Sequence, residues 1–102
     1  MSDSKVTTGK LRWSLLPWEQ IQCIVEAFES GLSLHKYKRD SWQYAADDTR
    51  EKYFDALIRH VKAWYCGERD APDTGLNHLA HAGACLLILL WHDQNGTWGS
   101  KS

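Results

Sequence analysis

The stretch LNHLAHAGACLLILLW, residues 76–91, decides the fold that we predict for this chain. Leu79, Ala82, Leu86, Leu89 and Leu90 recur at the spacing of one helical face, and most other positions in the second half of the stretch are also apolar. A helix that is apolar all round must be buried all round. Three helices cannot surround it, so the pattern predicts an all-α helical hairpin or bundle that is completed by oligomerisation.

An earlier helix is predicted to begin near Pro17, a residue that suits a first helical turn, and to end near Gly31. Residues 32–46 hold no single period and are expected to form a short helical turn, followed by a loop that carries Trp42 outside the core. The buried stripe of this first helix has i, i+3, i+4, i+7 spacing and consists of Ile21, Ile24, Val25 and Phe28.

A second helix is predicted from about Asp48 to Tyr65, because Asp48 and Glu51 have capping-box spacing and Gly67 follows its end. Residues 67–75 then form a polar loop, in which Pro72 and Gly75 prevent a continuing helix. The apolar stripe of the second helix consists of Phe54, Leu57, Ile58, Val61, Trp64 and Tyr65.

Composition narrows the class of protein. A length of 102 residues predicts a single domain, which we place at residues 11–95 between flexible tails at 1–10 and 96–102. The formal net charge of −1 indicates that the chain lacks the broad basic surface that duplex nucleic acid requires. Cys23, Cys66 and Cys85 are far apart and are expected to be small buried hydrophobes in a reducing compartment. Residues 1–10 lack an apolar signal region and no stretch could span a bilayer, so we expect a cytoplasmic protein that does not enter the membrane.

The residues that could carry chemistry lie between His60 and His81. His60 lies late in the second helix, and a helix–loop–helix hairpin would bring it close to His78 and His81, which share a face of the third helix. The start of that helix also offers unpaired N–H groups that favour phosphate. The carboxylates and imidazoles nearby could hold a divalent cation that binds phosphate oxygens. The predicted set of metal ligands consists of Glu68, Asp70, Asp73 and His81.

A purely structural interpretation of the same residues stays open. His78 could simply cap the third helix, His81 could lie in the core, and Asp73 suits an N-cap position. A second group, residues 35–39 with Trp42, has cations that could neutralise phosphate and rings that could stack on a base, but it could equally be a solvated basic turn beside a buried tryptophan.

The segments KYKRDSW (36–42) and LIRHVKAWYCGERDAPDTGLNHLAHAGACLLILL (57–90) resemble the small phage domain known as the dATP/dGTP diphosphohydrolase N-terminal domain. The resemblance covers residues 11–92 and is most specific from Arg59 to Ala82. It implies an all-α protein similar to the MazG-like pyrophosphohydrolases, which oligomerise and use magnesium to release pyrophosphate from nucleoside triphosphates.

Position by position, the resemblance extends to most of the candidate residues. Three departures from the family pattern are Lys38 in place of Gly, Ser41 in place of Asn before Trp42, and Cys85 in place of Asn in the last helix. The EExxE pattern of MazG helices is also absent. The matching positions are Lys36, Tyr37, Trp42, Arg59, His60, Gly67, Glu68, Asp70, Asp73, Gly75, His78 and His81.

The expected function is hydrolysis of a purine (deoxy)nucleoside triphosphate with Mg²⁺ or Mn²⁺. His60 and Glu68 are the predicted catalytic residues, with His60 orienting or deprotonating water. The expected partners are a small nucleotide and further copies of the chain. The alternative is a non-catalytic protein that sequesters a cyclic or signalling nucleotide in phage counter-defence. The predicted substrate-binding residues are Lys36, Tyr37, Trp42, Arg59 and His78.

Overall fold

A computed structural model describes residues 9–33, 41–44 and 47–96, and the chain is all-helical there. The predicted all-α class is confirmed: within these ranges the sole β feature is an isolated bridge between Asp70 and Asn77. Short 3-10 turns occupy Trp13–Leu15 and Ser41–Gln43. The three α-helices are α1 (Trp18–Ser33), α2 (Thr49–Tyr65) and α3 (His78–Asn95).

The helix ends differ from the predictions in three places. Helix α1 continues through Gly31 to Ser33, so the glycine does not terminate it. Asp48 is the N-cap residue of α2, but its side chain makes no capping hydrogen bond. Helix α3 begins two residues later than predicted, and the capping side chain is that of Asn77, which accepts the N–H of Leu79 at 2.8 Å. Asp73 therefore does not cap it.

Helices α2 and α3 pack side by side as a hairpin, and α1 packs on α3. The contact between α1 and α3 is close at Gly83, where an added Cβ would lie 2.7 Å from Cδ1 of Ile24. A glycine at this point lets the two helices approach more closely than a larger residue would allow. This arrangement places the loop between α2 and α3 at one end of the hairpin.

The core of a single copy consists of small side chains. Among the described residues, the buried apolar side chains are five alanines and Ile88. The predicted stripe of α1 is confirmed in part, because Ile24 and Phe28 pack against the buried alanines, whereas Val25 is half exposed. On α2, Leu57 is the one member of the predicted stripe that is not exposed in a single copy of the chain. The large apolar side chains left exposed on the α2–α3 hairpin are Phe54, Ile58, Val61, Trp64, Tyr65, Leu79, Leu86, Leu87 and Leu90.

The expectation that the three cysteines are buried was also wrong. Cys23 and Cys66 are exposed, and Cys85 is half-buried in α3. Cys23 lies on the surface of α1 and Cys66 follows the end of α2, and a single copy of the chain covers neither thiol.

Trp42 lies in the 3-10 turn Ser41–Gln43 rather than in a loop outside the core, so its predicted placement was wrong. Its ring packs edge-on against Phe28 at 5.9 Å and against Trp91 at 5.3 Å between centroids. The fully buried His92 donates from Nε2 to the carbonyl oxygen of Trp42 at 2.7 Å, which fixes the turn to α3. Aromatic packing of this kind makes Trp42 part of the fold.

In the part of the chain that the structure describes, no helix is long and apolar enough to cross a membrane. Residues 1–8 and 97–102, which make up most of the two expected tails, lie outside the described residues.

Candidate functional site

The loop between α2 and α3 is folded back on itself by backbone hydrogen bonds. The N–H of Ala71 bonds to the carbonyl of Leu76 at 2.8 Å, and the N–H of His78 bonds to that of Arg69 at 2.8 Å. Gly75 turns the chain with a φ of 76°, a conformation that favours glycine. As a result, the loop returns Glu68 to the first turn of α3.

Three side chains are joined by hydrogen bonds where the loop meets the helices. Nε2 of His78 lies 2.7 Å from Oε1 of Glu68, and Nδ1 of His78 lies 2.9 Å from Nδ1 of His60. The ring of His78 is buried, whereas the Glu68 side chain is about half exposed. The hairpin therefore brings together three of the predicted site residues, as the sequence led us to expect.

His81 completes the cluster one turn further along α3. Its ring stacks on that of His60, with centroids 4.9 Å apart and planes 17° apart. Its Nε2 lies 2.7 Å from the hydroxyl of Thr74, which also accepts the N–H of Leu76 at 3.2 Å. Thr74 thus fixes His81 to the loop.

The surroundings of His60 disfavour its charged form. Burial first, and then the charges of His81, His78 and Arg59, lower the pKa of His60 from its ordinary 6.5 to about 4, while Asp73 acts in the opposite direction. His60 is therefore a neutral imidazole near pH 7 and can accept a proton. Burial also raises the pKa of the Cys85 thiol, which keeps that side chain uncharged.

A cavity of about 880 Å³ adjoins the histidine cluster, a volume that is typical of sites for small molecules. One part of its wall carries His60, His81 and Asp73, and another carries the rings of Phe28 and Trp42. The cavity therefore joins an ionisable region to an aromatic one. Its wall also includes Val25, Leu32, Lys52, Tyr53, Cys85 and Ile88.

The predicted metal ligands do not assemble into a resident metal site. Among the side chains that the structure describes, no group of three or more histidine, cysteine or acidic residues is arranged to hold a metal ion. Glu68 is bonded to His78, and His81 is bonded to Thr74. Asp70 forms the bridge with Asn77, and Asp73 lies on the cavity wall. The donor types suit a metal, but their placement does not.

The remaining predicted residues lie apart from this cluster or outside the described part of the chain. Arg59 is exposed on α2, and its side chain does not line the cavity described above. Its positive charge acts to lower the pKa of both His60 and the Cys85 thiol. Lys36 and Tyr37 lie outside the described residues.

Sequence reasoning missed several residues that build the site. Tyr53 lies on the cavity wall seven residues before His60, which places both on one face of α2, and this spacing could have indicated it. Phe28 had been assigned only to the core. No local pattern indicated Thr74 as the partner of His81 or His92 as the anchor of Trp42, because both contacts depend on the tertiary fold.

The low pKa of His60 predicts that the protein loses stability in acid. Between about pH 6.5 and pH 4 the unfolded chain binds a proton at this residue that the folded chain does not, so the free energy of unfolding should fall as the pH falls through that window. Urea denaturation at a series of pH values should show a shallower fall for His60→Gln than for the wild type. Equal slopes would contradict the assignment.

Comparison with known proteins identifies the family. The family model described as "dATP/dGTP diphosphohydrolase, N-terminal" matches residues 2–102. The comparisons with curated proteins and with solved structures give no match. The family match spans the three helices, the loop with Glu68 and all three histidines of the cluster. The chain belongs to the dATP/dGTP diphosphohydrolase N-terminal domain family.

Proposed function

We propose that the chain binds a purine deoxynucleoside triphosphate in the cavity beside the histidine cluster and hydrolyses it to the nucleoside monophosphate and pyrophosphate. The observation that carries this proposal is the cavity itself, in which a neutral histidine and an aromatic wall line the same space. The family match supports a diphosphohydrolase-like activity.

The cavity suggests an orientation for the substrate. The base would lie against Trp42 and Phe28, since flat rings stack on bases, and the phosphates would lie toward His60 and His81. Lys36 would help to neutralise the phosphates, as would the charge of Arg59 from outside the cavity wall, and Tyr37 would supply a further ring for the base.

Asp73 on the same wall would repel a bare triphosphate. We therefore expect the substrate as its Mg²⁺ or Mn²⁺ complex, because these ions are held mainly by phosphate oxygens and water. The ion would arrive with the nucleotide, which is consistent with the absence of a resident metal site among the described residues.

The reaction needs a base for the attacking water. The water oxygen would bond to the α-phosphorus, the bond to the α–β bridging oxygen would break with its electron pair, and pyrophosphate would leave. The water proton would pass to His60, which is neutral near pH 7.

We further propose that two copies of the chain pair through the hairpin formed by α2 and α3. On α2, Phe54, Ile58, Val61 and Tyr65 lie at i, i+4, i+7 and i+11 and are all exposed. On α3, Leu79, Leu86 and Leu90 form a matching exposed stripe.

A second copy is the occupant that this apolar face fits. Two stripes on adjacent helices pair with the same two stripes of a copy related by a two-fold axis, and the result is a four-helix bundle. A single soluble chain rarely leaves a continuous apolar surface of this size exposed. We place the dimer in the cytoplasm, where nucleoside triphosphates are made and where the exposed thiols of Cys23 and Cys66 stay reduced.

Chromatography of reaction mixtures tests the proposed function. The protein is incubated with dATP, dGTP, dCTP, dTTP and cyclic nucleotides, each with Mg²⁺ or Mn²⁺ and in parallel with EDTA. Release of pyrophosphate from dATP or dGTP that EDTA stops supports the proposal. Recovery of an intact, tightly bound nucleotide regardless of EDTA would overturn it in favour of sequestration.

A further inference from the structure

A hydrogen-bonded chain of three side chains ends at the wall of the cavity. Glu68 contacts Nε2 of His78 at 2.7 Å, and Nδ1 of His78 contacts Nδ1 of His60 at 2.9 Å. His78 is 5% exposed, so its two ring nitrogens depend on these partners. His60 is the member of this chain that lines the cavity.

With His78 neutral, the chemistry of each partner fixes the positions of the protons. An ionised carboxylate can only accept a hydrogen bond, so Nε2 of His78 carries a proton that it donates to Glu68. A neutral His78 then has a lone pair on Nδ1. The contact between the two Nδ1 atoms needs one proton, which must therefore belong to His60. Neutral His60 is left with a lone pair on Nε2.

We propose that Glu68 and His78 are positioning residues that hold His60 in the tautomer with a bare Nε2, and that they receive the positive charge when His60 takes a proton. The proposal rests on the proposed function, because it concerns the same water attack. It gives the buried His78 and the exposed Glu68 a role that needs neither contact with the substrate nor a metal.

Each proton that moves between His60 and His78 leaves one named nitrogen and arrives at another. When Nε2 of His60 accepts a proton from the attacking water, the proton on its Nδ1 can move to Nδ1 of His78. His60 returns to neutrality with its proton on Nε2, and His78 becomes a cation that donates from both nitrogens. The positive charge then lies against the carboxylate of Glu68, 2.7 Å away, where it is stabilised.

The surroundings of His60 make it favourable to move the positive charge away from that ring. Burial disfavours a cation at His60 most, His81 and His78 on α3 and Arg59 on its own helix add to this, and Asp73 in the loop partly offsets them. The low pKa keeps Nε2 unprotonated near pH 7, but it also makes an isolated His60 a weak base. Moving the charge to His78 places it 2.7 Å from the carboxylate of Glu68, an opposite charge that His60 does not contact.

The first test uses nitrogen-15 NMR of the histidine rings in the wild type, Glu68→Gln and the control Glu19→Gln, which alters an exposed residue at the start of α1. The amide that Glu68→Gln introduces can either accept from or donate to Nε2 of His78, so it removes the preference for one tautomer. The wild type and the control should show His60 protonated on Nδ1 and bare on Nε2 at pH 7.5, and Glu68→Gln should show a mixture. A wild-type His60 that carries its proton on Nε2, or a tautomer that ignores Glu68→Gln, would overturn the proposal.

The second test uses steady-state kinetics with magnesium–dGTP. Loss of the partner that orients a metal-bound histidine typically costs about 10- to 100-fold, and we expect an effect of the same order for the partner of His78. We expect kcat of Glu68→Gln to fall by that factor with KM within about twofold, and Glu19→Gln to match the wild type. A raised KM with unchanged kcat would show that Glu68 binds the substrate and would overturn its positioning role. If the wild type releases no pyrophosphate, the proposed function fails, whereas the NMR result still decides the tautomer.

Discussion

His60→Gln is expected to lower the rate of pyrophosphate release from dGTP by about 100- to 10,000-fold, the range typical of a lost general base. His60 lines the cavity and is kept neutral by burial, so it is the residue best placed to accept the water proton. Affinity for the nucleotide should change little, because a neutral His60 adds no charge to phosphate binding and base stacking involves other residues. Rapid-quench kinetics measures the rate, and calorimetry with a non-hydrolysable analogue measures the affinity.

The control is Lys62→Gln, two residues further along α2 on its exposed side. It should leave both rate and affinity unchanged. A His60→Gln variant that hydrolyses dGTP at the wild-type rate would remove His60 from the mechanism. Loss of binding together with activity would instead make it a substrate-binding residue.

Leu86→Asp is expected to convert the proposed dimer into a monomer at micromolar concentration. Leu86 is 56% exposed in a single copy, so the aspartate is tolerated by the isolated fold. Because the interface is two-fold, the substitution would occur in it twice. Each aspartate carboxylate would lose its hydrating water when the two copies associate, which is unfavourable. We expect the dissociation constant to rise by about 100-fold or more, which corresponds to about 2.8 kcal/mol or more.

Sedimentation equilibrium of the wild type, Leu86→Asp and Leu15→Asp checks this prediction. Leu15 is 71% exposed in the 3-10 turn before α1 and lies outside the α2–α3 hairpin, so its variant should remain dimeric. A wild type that sediments as a monomer, or a Leu86→Asp variant that dimerises as tightly as the wild type, would contradict the proposed interface.

The helices were predictable because their apolar spacing and flanking residues are local signals. The pattern indicated that Phe54, Ile58 and Val61 share a face of α2, and they do. It could not tell whether that face meets the chain's own core or another copy, since hydrophobic spacing is the same in both cases. The half-buried residues of α2 are instead Tyr53, Ala56, Leu57, His60 and Ala63, and a search for large apolar side chains passes over both alanines and the histidine.

The candidate site was partly predictable for the same reason. His60, Glu68 and His78 are brought together simply by the hairpin, so their proximity followed from helix ends alone. The placement of Trp42 depends on its contacts with Phe28, Trp91 and His92, which lie on two other helices. Spacing in the loop likewise suggested a metal site, although no group of three or more ligand side chains in the described part of the chain is arranged to hold a metal ion, and the Glu68 carboxylate contacts His78.

The central claim is that a purine nucleotide lies between the aromatic wall and the histidine cluster. The most direct measurement is an NMR titration of tryptophan indole and histidine ring signals with magnesium and a dGTP analogue that has a methylene group between the α- and β-phosphorus. Binding in the cavity predicts saturable shifts at Trp42, His60 and His81, while Trp13 and Trp18, which stack on each other and do not line the cavity, stay unchanged. Shifts confined to Trp13 and Trp18, or no shifts at millimolar analogue, would contradict it.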